Sequence, residues 1–163
     1  MSLPNTRITN LLIAITCIGL MAYALFSEMV LGLHPCPLCM TQRLFVILVG
    51  MIAFIAFIHN PAAIGRRVYA VLGIIAAALG AGVAGRHVWL QNLPEDQVPA
   101  CGPSLDYILD TFPLTEAFVV LMRGDGNCAD VVWQFLGLSM PTWVAISFAG
   151  LLLINLWQLL RRS

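Results

Sequence analysis

The sequence predicts an all-α membrane protein: a four-transmembrane-helix bundle with one long outer loop that contains a short membrane-surface helix. Three observations lead there. The 163 residues are 60% hydrophobic and 10% charged, with a mean hydropathy of +0.91, a composition foreign to soluble domains. Four apolar stretches have the length, alone or with their flanks, to cross a hydrocarbon core about 30 Å thick. Every acid except Glu28 lies in one segment between the third and fourth of these stretches. Net charge is zero and lysine is absent, so no basic run points to a nucleic-acid partner. The whole chain, 1–163, reads as a single integral membrane domain in the lipid bilayer.

The first stretch, 8–27, follows a leader carrying only Arg7 and reads as a span. Ala22-Tyr23-Ala24 resembles a signal-cleavage site, but the apolar run exceeds the about 7 to 15 residues usual in a secretory signal. Cys17, in its middle, is expected to be a small core hydrophobe. Residues 28–36 form a short connection, with Glu28 marking the end of the span. The second apolar run, Leu44 to Ile58, reaches only about 22 Å at about 1.5 Å per residue. Its helix must therefore begin near Pro37, which gives a span over 37–58. His59-Asn60-Pro61 ends it, and 59–67 make a short loop containing Arg66 and Arg67.

The third span, 68–88, carries small residues at every fourth place, Gly73, Ala77, Ala81 and Gly85, a stripe for close helix packing. The long loop, 89–141, is broken by Pro94, Pro99, Pro103 and Pro113. Within it Leu114, Phe118, Leu121 and Met122 share a face of a helix too short to span, so that helix is expected to lie in the membrane surface. The last span, 142–160, is followed by Arg161 and Arg162.

Four spans put both termini on one side. Arg7, Arg66, Arg67, Arg161 and Arg162 share that side, against Arg43, Arg86 and Arg123 on the other, and the positive-inside rule makes the five-arginine face cytoplasmic. Trp89 and Trp143 then fall near the outer boundary and Trp157 near the inner one, as in an aromatic belt. Cys36, Cys39, Cys101 and Cys128 all face outward, toward a compartment where disulfides persist.

Cys36-Pro37-Leu38-Cys39 is the chemical centre of the sequence. If a helix starts at Pro37, Cys36 is its N-cap and Pro37 takes the first helical position, where a missing N–H costs nothing. Cys39 and Arg43 follow on the same face. The helix N-terminus and the guanidinium both favour thiolate, the form that attacks disulfides. Bridged to each other, Cys36 and Cys39 would constrain little of the unfolded chain, so a redox role is favoured over a structural staple. Cys101 and Cys128 could staple the acidic loop, a contribution of about 3 kcal/mol, or share in the redox chemistry; their local sequence leaves both open.

Haem attachment would need a histidine after Cys39, where Met40 stands. A zinc site built from Cys36, Cys39, Cys101 and Cys128 lacks the close spacing of its second pair and would compete with oxidation, so no metal is expected. No nucleotide-binding G-x-G-x-x-G follows a strand. An electron acceptor must therefore reach Cys39 at the membrane edge. A lipid-soluble quinone suits that place, because its carbonyl oxygens accept hydrogen bonds from cationic or imidazole donors. The candidate donors are Arg43, one turn below Cys39, and His87, at the end of the third span. Arg86 points about 100° away from His87, so only one of that pair can face the site.

Taken together, these residues resemble the disulfide bond formation protein B (DsbB) family. The likeness rests on the Cys36–Cys39 pair with Arg43 at the head of the second span, His87 ending the third, and Cys101 and Cys128 in the long loop. Gly126-Asn127-Cys128-Ala129-Asp130 running into Trp133-Gln134-Phe135-Leu136-Gly137-Leu138-Ser139-Met140-Pro141-Thr142-Trp143 carries it further, and it covers essentially the whole chain. The resemblance implies a bacterial inner-membrane thiol oxidase that reoxidises a periplasmic DsbA-like dithiol oxidase and passes two electrons to ubiquinone or menaquinone. It implies that the reduced partner attacks Cys101, that Cys128 is the displaced mate, that Cys36 exchanges with the loop pair, and that Cys39 donates to the quinone. Arg43 and His87 would hold and polarise the quinone head, and the surface helix would keep the loop near the bilayer. Two other readings remain at this point: a paralogue dedicated to one special thiol partner, and a non-catalytic four-span protein with structural disulfides.

Overall fold

A computed structural model describes residues 5–102, 107, 110–111 and 113–161. Pro103 and Arg162 lie outside the described residues, as do the side chains of Leu114 and Phe118. Four long helices carry the fold: α1 (Thr6–Met29), α2 (Pro37–His59), α3 (Ala63–Gln91) and α5 (Met140–Leu160). Each is long and apolar enough to cross a membrane. Between α3 and α5 come a short turn of 3₁₀-helix at Glu95–Gln97, α4 (Leu114–Arg123), a second such turn at Gly126–Cys128, and a hairpin of β1 (Gln134–Phe135) and β2 (Leu138–Ser139).

The helix ends follow from local chemistry. The Asn5 side chain caps α1 by accepting from Arg7 N. Cys36 caps α2, with its Sγ accepting from Cys39 N at 3.4 Å and Pro37 in the first turn. Asn60 closes α2 in a left-handed conformation, φ 42°. The third helix begins at Ala63, inside the stretch read from sequence as loop, and ends at Gln91 rather than 88. Its 29 residues extend about 43 Å, more than a hydrocarbon core of about 30 Å needs, and Arg66 and Arg67 lie in its first turns.

The most extensive packing joins α3 to α5, followed by α1 to α2 and α2 to α3. Small residues make the α3–α5 approach possible, but the row differs from the predicted one. A side chain at Gly80 would strike the buried Phe148 ring, and one at Gly73 would strike Asn155, whereas Gly82 and Gly85 face open space. A four-residue step overshoots a helical turn by about 40°. The row Gly73, Ala77, Ala81, Gly85 therefore drifts off the interface, while Gly73, Ala77, Gly80 and Ala84 are all buried, Gly73 and Gly80 against α5 side chains. On the outside, large apolar side chains such as Ile18, Phe54, Leu79 and Leu153 are exposed, as lipid contact requires. Cys17 is buried in the core cluster. Between α1 and α5, Gln158 Nε2 donates to Asn10 Oδ1 at 3.2 Å.

Two turns place the loop on the bundle. Gly124, at φ 71°, follows α4, and a Cβ there would come within 2.7 Å of Leu38 Cδ1, so glycine both permits the turn and lets the chain lie on the start of α2. Leu136 and Gly137, at φ 53° and 78°, form the two-residue turn of the hairpin, the twist that suits a tight antiparallel pair. Trp143 Nε1 then donates to Phe135 O at 3.1 Å and ties the hairpin to α5.

Candidate active site

Four of the sequence-predicted residues converge at the head of α2. Cys36 Sγ lies 3.2 Å from Cys39 Sγ and 3.8 Å from His87 Nε2. Cys128, fully buried, reaches the same place from the loop: Cys36 Sγ, Cys128 Sγ and a His87 ring nitrogen all lie within 4.8 Å of one another. All five cysteines are free thiols. Of the two neighbours Arg86 and His87, it is His87 that is buried against the sulfurs. Arg86 points outward and donates from Nε to Arg123 O at 2.9 Å. Position 87 falls on the same side of α3 as Gly80 and Ala84, so the packing face that docks α5 also aims the imidazole.

Cys101 is exposed and lies against Gly126, two residues before Cys128, along a short zipper of chain. Gly126 N donates to Ala100 O at 3.3 Å, and the Asp125 carboxylate accepts from Gly102 N at 3.2 Å and from Asn127 N at 3.1 Å. A Cβ on Gly126 would stand 2.6 Å from Pro99 O, so glycine is needed for this approach. One loop thus holds an accessible sulfur at its surface and a buried one at the dithiol.

The charge state of that buried sulfur follows from its neighbours. The neighbouring Cys36 thiol, above all, pulls the Cys128 thiol down to about 7; burial opposes this, and the backbone of Asp125 and Leu38 assists it. Cys36 is pushed up, by Cys128 first, then by Cys39, to which its thiol donates at 3.2 Å, and by burial.

Arg43 lies elsewhere around the same cysteine pair. It forms an ion pair with Glu28 and donates from Nη2 to Ala24 O at 3.2 Å, so it is bound to the end of α1. With Cys39 it lines a cavity of about 450 Å³ between α1, α2 and α5, roofed by residues 132–135. Tyr23, Trp133, Phe135 and Trp143 supply its aromatic wall, with successive ring centroids 6.1 Å apart. Such a pocket, apolar with a few polar groups on one side, has the volume range of small-molecule sites. A quinone ring fits its chemistry: aromatic faces for the ring, a guanidinium for a carbonyl oxygen, and a reactive sulfur in the wall.

His87 is not part of that wall. Gln42 connects the two halves: it lines the cavity, is buried, and brings Nε2 to 3.0 Å from His87 Nδ1, which turns the other ring nitrogen toward the sulfurs. Gln42, Glu28 as the partner of Arg43, Asp125 and His34, another lining residue, were not singled out as site residues from the sequence. A signal existed for Gln42, an uncharged polar residue inside an apolar helix, where such groups need a partner. Among the described residues no buried side-chain nitrogen or oxygen lacks one.

Comparison with known proteins places the chain in a family. The profile of the family described as "Disulfide bond formation protein DsbB" matches residues 6–158. A disulfide bond formation protein B from Saccharophagus degradans is 60% identical over 161 residues, covering 99% of this chain and 97% of that protein. Proteins of the same name from Marinobacter nauticus and Nitrosococcus oceani are 50% and 48% identical; the alignments cover 93% and 88% of this chain, and 90% and 85% of theirs.

Proposed function

The chain belongs to the disulfide bond formation protein DsbB family, and from that premise we propose that it is a protein-dithiol:quinone oxidoreductase that reoxidises a periplasmic DsbA-like thiol oxidase. It sits in the bacterial inner membrane with both termini cytoplasmic and its cysteine pairs periplasmic. The observation that carries the reading is the meeting of Cys128, from the loop, with Cys36 at the head of α2.

The sulfurs do the work in order. A thiolate of the reduced partner attacks Cys101; the Cys101–Cys128 bond breaks, a mixed disulfide forms and Cys128 leaves as thiolate. Cys128 attacks Cys36 of the Cys36–Cys39 disulfide, a Cys128–Cys36 bond forms and Cys39 leaves as thiolate. The partner's second thiolate then attacks its own sulfur in the mixed disulfide, so that it departs oxidised and frees Cys101. Cys101 attacks Cys128, which restores the loop disulfide and leaves Cys36 and Cys39 reduced. Bound in the cavity, ubiquinone or menaquinone would supply the two-electron acceptor that returns this pair to the disulfide. Arg43, braced by Glu28, holds the ring's carbonyl end. His87 Nε2 faces the sulfurs on which charge collects during exchange, and Gln42 keeps it there.

Acid quenching during turnover with a reduced DsbA-like partner, followed by alkylation and peptide mapping, tests this reading. A transient Cys36–Cys128 disulfide is expected. Two disulfides that never exchange would instead make the chain a structural membrane protein.

A further inference from the structure

We propose that the reduced site is also a zinc site, formed by Cys36, Cys39, Cys128 and His87 without Cys101, through which zinc(II) holds the protein in its dithiol form. This rests on the thiol-oxidase reading only in that turnover generates the reduced state.

The geometry is the argument. Zinc takes thiolate sulfur at about 2.3 Å and imidazole nitrogen at about 2.0–2.1 Å, which sets tetrahedral edges of about 3.8 Å between sulfurs and about 3.5 Å between sulfur and nitrogen. The Cys36–Cys39 separation is 3.2 Å, Cys36 to His87 Nε2 is 3.8 Å, and Cys128 closes a triangle with no edge above 4.8 Å. Adjustments on the order of 1 Å bring Cys36, Cys128 and His87 onto one ion, and Cys39, held 3.2 Å from Cys36, completes the set by turning its side chain toward them. Three thiolates with one imidazole are a closed structural set with no open position. A four-cysteine site was disfavoured from sequence because Cys101 and Cys128 are far apart in the chain; the fold removes the difficulty by bringing in Cys128 and His87 and leaving Cys101 exposed.

The support around the histidine fits as well. A zinc-bound histidine gives its other N–H to an acceptor. Gln42 already stands at Nδ1, and turning its amide over places Oε1 where Nε2 is, so that Oε1 accepts from Nδ1–H and Nε2 offers its lone pair to the metal. Binding exchanges three thiol protons for one zinc ion and moves no electrons. With its sulfur bound to zinc, neither Cys36 nor Cys128 is free to attack a disulfide.

The purified chain in detergent, reduced with a phosphine, is titrated with cobalt(II) and then zinc(II). One tetrahedral cobalt per chain is expected, with sulfur-to-metal charge transfer, displaced by zinc and absent from the oxidised protein. Zinc should shield Cys36, Cys39 and Cys128 of the native chain from alkylation while Cys101 stays reactive. Cys36→Ser, Cys128→Ser and His87→Ala should lose the tetrahedral spectrum, and Cys101→Ser should keep it. Gln42→Leu should weaken binding about 10- to 100-fold, and Gln42→Glu, which restores an acceptor, should recover it. A reduced native chain without the spectrum, shielding of Cys36 and Cys39 alone, or equal binding after His87→Ala would overturn the proposal. None of these readouts uses quinone. A chain that binds zinc but never reduces quinone would sink the oxidase reading alone.

Discussion

Cys128 owes its acidity to one neighbour more than to anything in its own loop. In the reduced chain its alkylation rate should rise with pH around a midpoint near 7, because the thiolate is the reactive form. Cys36→Ala removes the neighbour chiefly responsible, so the midpoint should move up toward an ordinary thiol value of about 8.5, and alkylation at neutral pH should slow. An unmoved midpoint would mean that Cys36 does not set the charge on Cys128. On the cavity side, Arg43→Met should raise the quinone KM about tenfold, a loss of about 1.4 kcal/mol, while exchange between the thiols continues. At this scale much of the site was legible: the cysteine spacing, the cap at Cys36 and the rule that only one of Arg86 and His87 can face the site all follow from one helix at a time. The Arg43–Glu28 pair and the Gln42–His87 contact were not, because each depends on the register between two helices that no local pattern encodes.

The elements are held by shape. Gly80 against Phe148, like Gly73 against Asn155, is a close approach of α3 and α5, and the same face of α3 carries His87. Gly80→Leu should cost about 1–3 kcal/mol through overpacking, read as a lower thermal midpoint in detergent. Adding Phe148→Ala should recover part of that loss, because it removes the ring that the new side chain meets; no recovery would place the contact elsewhere. Gly124→Ala should lower the midpoint too, since it adds a Cβ at positive φ and presses on Leu38. A stripe of small residues was visible in the sequence, yet its phase was not. Counting in fours followed Gly85 out of the interface, where the 3.6-residue turn keeps Gly80 and Ala84 in it.

At the scale of the molecule, the four spans were legible because crossing lipid demands about twenty apolar residues wherever it happens. The cavity was not, since its walls come from α1, α2, α5 and a hairpin distant in sequence, and its roof depends on the positive-φ turn at Leu136-Gly137. Those long-range meetings divide the site into a buried sulfur cluster on one side of Cys39 and an aromatic cavity on the other. The central claim is that the two sides are one electron path. It is tested most directly by mixing the purified protein with a reduced DsbA-like partner and a soluble quinone, and counting quinone reduced against partner disulfides formed. The account predicts one quinone per disulfide, with turnover lost on Cys36→Ser. Partner oxidation with no quinone reduced, or quinone reduction that survives Cys36→Ser, would contradict it.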